Sequence, residues 1–210
     1  MNYKAIIFDL DGTLLDSMKV WDDVDERFIA NHNITVPKNF KEIMKTLSFE
    51  QSAQYFIDEF HLDMTVKQVT DEFKITAEHE YENIIPLKPY VREFLEANKN
   101  LKMCVATATD TKLAEAALKR LGVLKYFDFI LTCTEVGKSK ESPEIFIEAA
   151  KRMKTDVYEA VVVEDSVHAA LTAKKAGFNV LGIYDEYSDN DKEKMQKICD
   201  KFILSYKDML

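Results

Sequence analysis

Asp9 and Asp11 stand two residues apart in the segment Phe8-Asp9-Leu10-Asp11-Gly12-Thr13, directly after the apolar run Ala5-Ile6-Ile7-Phe8. That run is too brief for a helix and reads as a buried strand. Gly12 supplies the freedom to turn sharply where the strand ends. Residues i and i+2 of an extended segment point to the same side, so both carboxylates can converge on one point. Convergent carboxylates repel each other and call for a cation or a shared proton between them. A turn rich in Asp and Gly that caps the next element explains this segment taken alone. It does not explain three further segments downstream, Thr107-Ala108-Thr109-Asp110, Lys140-Glu141-Ser142-Pro143-Glu144 and Glu164-Asp165-Ser166.

The elements that must position these groups follow from the hydrophobic pattern. Between Ser17 and Ile85 the periodicity is helical. Val20, Trp21, Val24 and Phe28 form one apolar stripe, Phe49, Ala53, Phe56, Ile57 and Phe60 a second, and Val66, Val69, Phe73, Ala77 and Ile84 a third. Pro37 suits the first turn of a further helix over residues 39–47. Short links between amphipathic helices predict a small bundle. Beyond Pro86 and Pro89, strands are expected at 101–106, 127–131, 160–163, 180–183 and 202–204. Helices are expected between them, with Leu113, Ala116, Ala117 and Leu121 on one ended by Gly122, then over 143–153 and 169–176. Such alternation predicts an α/β fold, a three-layer α/β/α Rossmann-like parallel sheet with an inserted small α-helical bundle as a cap. Residues 1–16 and 86–210 would form the core, and residues 17–85 the cap. Ligands of open α/β sheets bind beyond the carboxyl ends of the strands, where all four polar segments would emerge.

Composition limits the partners. The chain has 210 residues, 47% of them hydrophobic and 31% charged, which suits a soluble globular protein with an ample core. A formal charge of −9, with no dense block of Lys or Arg, argues against nucleic acid and anionic membranes. Cys104, Cys133 and Cys199 lie far apart and form no metal-binding or disulfide pattern, so reduced thiols are expected. No secretory signal or membrane-spanning stretch is visible, and a cytoplasmic setting is the expectation.

The four segments together resemble the motifs of the haloacid dehalogenase-like hydrolases, in the branch of metal-dependent phosphatases. The Asp9–Thr13 stretch resembles the family's Asp-x-Asp-Gly-Thr motif. Thr107 matches the hydroxyl after the second strand, Lys140 the motif lysine, and Glu164-Asp165 the paired acids. The resemblance implies a Mg²⁺-dependent phosphatase of a small phosphomonoester, a sugar phosphate or similar metabolite, working through a phospho-Asp9 intermediate. It makes Asp11 the acid and base, and Asp9, the Asp11 carbonyl and Asp165 the metal ligands, with Glu164 as ligand or neighbour. Lys140, the Thr107 hydroxyl and backbone N–H groups near Ala108 would hold the phosphoryl oxygens. Chemistry agrees, since a carboxylate is a workable nucleophile on phosphorus and Mg²⁺ prefers oxygen ligands.

Other readings stand beside these. Lys140 lies among Lys138, Glu141 and Glu144, a setting that also suits a solvated lysine. Ser166 reads as a helix N-cap, and Asp16 and Ser17 as a cap or hinge. The lysine motif of the family usually continues Pro-x-Pro-Asp, a frequent glycine is Ala169 here, and another is Tyr90. The nearest subgroup resembles β-phosphoglucomutases and sugar phosphatases. Trp21 stands where those mutases carry a histidine, and Phe49 where they carry a phosphate-holding arginine; both changes favour a hydrolase over a mutase. Lys45 and Lys74 are candidate cap cations, and a monomer or weak dimer is expected. A phospho-accepting signalling protein is the alternative of another class.

Overall fold

The computed structural model describes residues 3–44 and 47–210; Lys45, Thr46 and the side chain of Trp21 lie outside the described residues. After β1 (Ala5–Phe8) the chain runs through four helices, α1 (Met18–Asn31), α2 (Phe40–Met44), α3 (Phe49–Phe60) and α4 (Val66–Asn83). It then alternates: α5 (Val91–Ala97), β2 (Lys102–Thr107), α6 (Thr111–Arg120), β3 (Ile130–Thr132), α7 (Cys133–Val136), α8 (Glu144–Arg152), β4 (Ala160–Glu164), α9 (Val167–Lys175), β5 (Asn179–Ile183), α10 (Lys192–Ile198) and β6 (Lys201–Ile203).

All strand pairs are parallel, in the order β3-β2-β1-β4-β5-β6. β1 is central, and Phe8 is level with Val105 of β2 and Val163 of β4. β2 and β4 run only two and one residues past this level, to Thr107 and Glu164, so the segments that leave the three strands share one edge of the sheet. Side-chain alternation divides the core between two faces. Ile6, Phe8, Val105, Val161 and Val163 pack toward α5 and α6, while Ala5, Ile7, Cys104, Ala106 and Val162 pack toward α8 and α9. Small residues on α9 (Ala169, Ala170 and Ala173) are fully buried there, so alanine at 169 still permits close helix–strand packing.

Several expected details shift. β3 begins at Ile130 rather than at 127, because a 3-10 turn over Leu124–Tyr126 turns Phe127 inward, edge-on to Phe8 at 5.8 Å between centroids. On α6 the buried face is Leu113, Ala114, Ala117 and Leu118, one step from the face expected. Ile84 is 55% exposed, whereas Tyr81, one turn earlier, is fully buried. Helices α5, α7 and α10 were not anticipated by periodicity, being only four to seven residues long. Tyr90 adopts a left-handed conformation (φ 66°), which accounts for glycine being frequent at that place in similar chains.

The four-helix segment has an aromatic core. The fully buried Phe56 ring meets Phe28, Phe40 and Phe73 edge-on at 4.9, 5.5 and 5.7 Å. Reciprocal capping boxes, Ser48 with Gln51 and Thr65 with Gln68, start α3 and α4. The segment joins the sheet layer through α4, which packs on α6, with Arg120 donating to the carbonyls of Tyr81 and Ile85. Lys74 pairs with Asp110 at 3.5 Å across this contact, so it is a bridging residue rather than a lining one. Replacing Phe56 by alanine is expected to cost about 3–5 kcal/mol of stability, through lost burial and an unfilled cavity. Chemical denaturation checks this, the midpoint falling in proportion.

Candidate active site

Gly12 shapes the site. Its φ is +75°, and a Cβ there would lie 2.5 Å from Asp165 Oδ2 and 2.8 Å from Asp165 Cγ. The turn after β1 thus passes so close to the end of β4 that only glycine fits. Next to it, the buried Thr13 hydroxyl donates to Asp165 Oδ1 at 3.1 Å. Asp9, Glu164 and Asp165 are all buried and place carboxylate oxygens within 4.8 Å of one another.

Lys140 reaches into this group. Its ammonium donates to Asp9 Oδ1 and, at 2.7 Å, to Glu164 Oε1, and it is buried with them. The solvated-surface reading of Lys140 is therefore incorrect. Burial alone would lower the pKa of this lysine, but Asp9 and Glu164 outweigh it and hold the group protonated. The other Glu164 oxygen accepts from the Asp165 and Ser166 N–H groups and from the Ser166 hydroxyl, at 3.1, 3.2 and 3.0 Å. Ser166 occupies the N-cap position of α9, yet its hydroxyl binds Glu164 and not the helix. Glu164 is thus fully engaged in orienting Lys140 and the turn.

Negative charge still exceeds positive. Burial, opposed by Lys140 and reinforced by Glu164 and Asp11, pushes Asp9 up to about 7. Burial, then Glu164 and Asp9, also pushes Asp165 well above the ordinary carboxylate range. At 4.8 Å, each like-charged pair costs on the order of 3 kcal/mol at an effective dielectric of about 20. Hard, oxygen-bearing, under-neutralised donors at this spacing fit a divalent cation such as magnesium.

Among the described residues, Asp11 is gripped by three hydroxyls. Ser17 and Tyr81 donate to Oδ1 at 2.6 and 2.5 Å, and Thr109 donates to Oδ2. Ser17 is thus no helix cap, although it occupies the N-cap position of α1. Tyr81 comes from the far end of α4, a link that no local pattern could reveal. Thr107, fully buried at the end of β2, accepts the Thr109 N–H at 3.0 Å and keeps its own O–H available to a ligand. Ala108 beside it is exposed.

These groups floor a cavity of about 250 Å³. Its opposite wall comes from the helical segment and includes Asp22, Asp25, Lys41, Met44 and Phe49, with Tyr187 and His168 at the core side. Of the cap positions singled out by sequence, Phe49 lines the cavity and Lys74 does not; Lys45 lies outside the described residues. Asp22, Asp25, Lys41, Tyr187 and His168 gave no signal in one dimension, since charged helical residues read as a solvated face.

The family profile for haloacid dehalogenase-like hydrolases matches residues 3–177. The chain belongs to that family. This hydrolase is 28% identical over 214 residues to (DL)-glycerol-3-phosphatase 2 of Arabidopsis thaliana, covering 97% of this chain and 87% of the relative. It is 26% identical over 188 residues to fructose-1-phosphate phosphatase YqaB of Escherichia coli, covering 86% and 96%. Its fold matches β-phosphoglucomutase of Clostridium difficile with a TM-score of 0.81 at 20% identity, over 99% of this chain and 93% of that one.

Alanine at Gly12 must displace Asp165 or distort the turn, so Gly12→Ala is expected to lower kcat/KM at least about a hundredfold and reduce stability by about 1–2 kcal/mol. Steady-state kinetics and thermal melts measure the two effects.

Proposed function

We propose that this hydrolase is a magnesium-dependent phosphatase that cleaves small phosphomonoesters by way of a phosphoryl group carried on Asp9. The observation that carries the reading is the convergence of Asp9, Glu164, Asp165 and Lys140 in one buried cluster at the foot of a cavity. Hydrolysis by the family and the phosphate esters named for the two relatives support it.

In this reading Asp9 attacks phosphorus from the tip of a rigid central strand, forming the Asp9–phosphorus bond as the ester oxygen departs. Asp11 gives that oxygen its proton, then takes one from the water that cleaves the acyl phosphate. The three hydroxyls on Asp11 hold its carboxyl in place through both steps. Lys140, the Thr107 hydroxyl and the N–H of Ala108 orient the phosphoryl oxygens, and Glu164 positions Lys140. Asp9, Asp165 and the Asp11 carbonyl would hold Mg²⁺, with Glu164 beside them. When bound, the cation neutralises charge on the cluster and on the phosphoryl group. Residues 17–85 act as a cap that excludes water from residues 1–16 and 86–210.

The mutase reading rests on the likeness to β-phosphoglucomutase, which extends to the fold alone. A mutase must grip a second phosphate, and the cap wall here presents Asp22, Asp25 and Phe49. Hydrolysis is the better-supported reaction.

Asp9→Asn is expected to reduce p-nitrophenyl phosphate turnover about 10³-fold or more with the melting temperature near that of the native protein. A rate within tenfold removes Asp9 from its role. Stripping divalent ions with EDTA is expected to abolish turnover, and added Mg²⁺ to restore it, both read as phosphate release. Isomerised sugar phosphate without free phosphate would overturn the hydrolase reading.

A further inference from the structure

The cap wall of the cavity holds two aspartates in different states. Asp22 is satisfied on both oxygens, Oδ2 by Lys41 at 3.0 Å and Oδ1 by the Tyr187 hydroxyl. Tyr187 belongs to a 3-10 turn over Glu186–Asp191, so this contact fastens α1 to the sheet layer beside the cavity. Asp25, one turn further along α1, also lines the cavity and is only partly exposed. Among the described residues it accepts no hydrogen bond. Its location is unfavourable for a carboxylate: burial, then the nearby Asp22, opposed by Lys41, pushes it up to about 7. Its carboxylate is therefore open to a hydrogen bond from a ligand in the cavity.

We propose that Asp25 is a specificity-determining residue that accepts a hydrogen bond from a hydroxyl on the leaving group of the phosphomonoester. This rests on the phosphatase reading and deepens it. The geometry has three parts. The phosphoryl end of a substrate is committed to the floor by Asp9 and Lys140, so the leaving group extends toward the opposite wall, where Asp25 stands. That wall carries Asp22 and Asp25 against Lys41, and the exposed Glu26 outside it adds to the negative charge at Asp25, a balance that repels a second phosphate. Met44 and Phe49 line the same cavity and supply apolar surface on which a carbon skeleton rests, while Asp25 reads the hydroxyl. A small monoester rich in hydroxyls fits the about 250 Å³ cavity, and a bisphosphate or nucleotide does not suit its charge.

The test compares matched substrates, so that loss of folding or of general activity cancels. The kcat/KM of glycerol 3-phosphate is divided by that of n-propyl phosphate, and that of glucose 6-phosphate by that of cyclohexylmethyl phosphate. Wild type is expected to favour the hydroxylated member of at least one pair about tenfold to a hundredfold, the discrimination of a charge-assisted hydrogen bond. In Asp25→Leu that ratio should fall to within about threefold of unity. The isosteric Asp25→Asn should lower it by at least about threefold, which decides the matter if the leucine variant is poorly folded. No wild-type preference in either pair, or a ratio unchanged in both variants, overturns the proposal. Failure of wild type to hydrolyse all four esters and p-nitrophenyl phosphate overturns the phosphatase reading instead.

Stability supplies an independent readout. Burial holds the Asp25 carboxyl higher in the folded chain than in the unfolded one, facing Asp22 and Glu26 on α1, Lys41 on α2 and Tyr187 of the sheet layer. Its favourable contribution is therefore complete below about pH 4 and is lost as pH rises through about 7. Asp25→Asn is expected to melt above wild type at about pH 8 and to lose that advantage at about pH 4. An equal or lower melting temperature at the higher pH would show that Asp25 is retained for the fold and would overturn the proposal.

Discussion

Mutual repulsion among buried carboxylates is the constraint on which the rest of the molecule depends. Asp9, Glu164 and Asp165 come from two adjacent parallel strands whose register brings their ends level. Nothing in the backbone permits them to separate, because β1 is hydrogen-bonded on both sides. The protein answers with one lysine, a complete set of hydrogen bonds for Glu164, and a charge deficit large enough to lift Asp9 toward neutrality. That deficit suits a hard cation, in a chain whose overall charge is −9. An acidic protein thus binds an anionic substrate because attraction is local while the global repulsion is screened by salt.

The helical segment takes part in the chemistry as well as covering it. Tyr81 lies on α4, yet its hydroxyl holds Asp11 together with Ser17 and Thr109. Asp11 is therefore tied both to the sheet layer and to the helices above it. Tyr187 and Asp22 make a second tie in the opposite direction, from the sheet layer to α1. Any opening of the cavity must break one of these ties or turn about the linkers near Ser17 and Pro86.

Much of this was legible along the chain. Hydrophobic period alone located the six strands within a few residues and the longest helices almost to their ends, since long amphipathic stripes and β-branched runs are strong signals. Short elements escaped: α5, α7 and α10 are held by tertiary packing and carry too few turns to show a period. Phe127 was assigned to a strand because apolar character does not distinguish a ring turned onto Phe8 from one in a ladder.

The sequence by itself determined which residues meet at the floor of the cavity. Asp9, Asp11, Thr107, Lys140, Glu164 and Asp165 each sit at or just past the end of a strand or in the loop that follows, and parallel topology sends all such segments to one edge. Only the tertiary structure decided the partners: that Lys140 is buried between two acids, that Ser17 and Ser166 serve carboxylates rather than helix ends, and that Tyr81 reaches Asp11 across 70 residues. The same holds for the wall facing the substrate, where Asp22, Asp25 and Lys41 look like any solvated helical surface until a second layer is placed over them. Strand ends are fixed by local pattern and backbone pairing, whereas a cavity wall is made by the packing of two bodies. Such packing leaves no period in either of them.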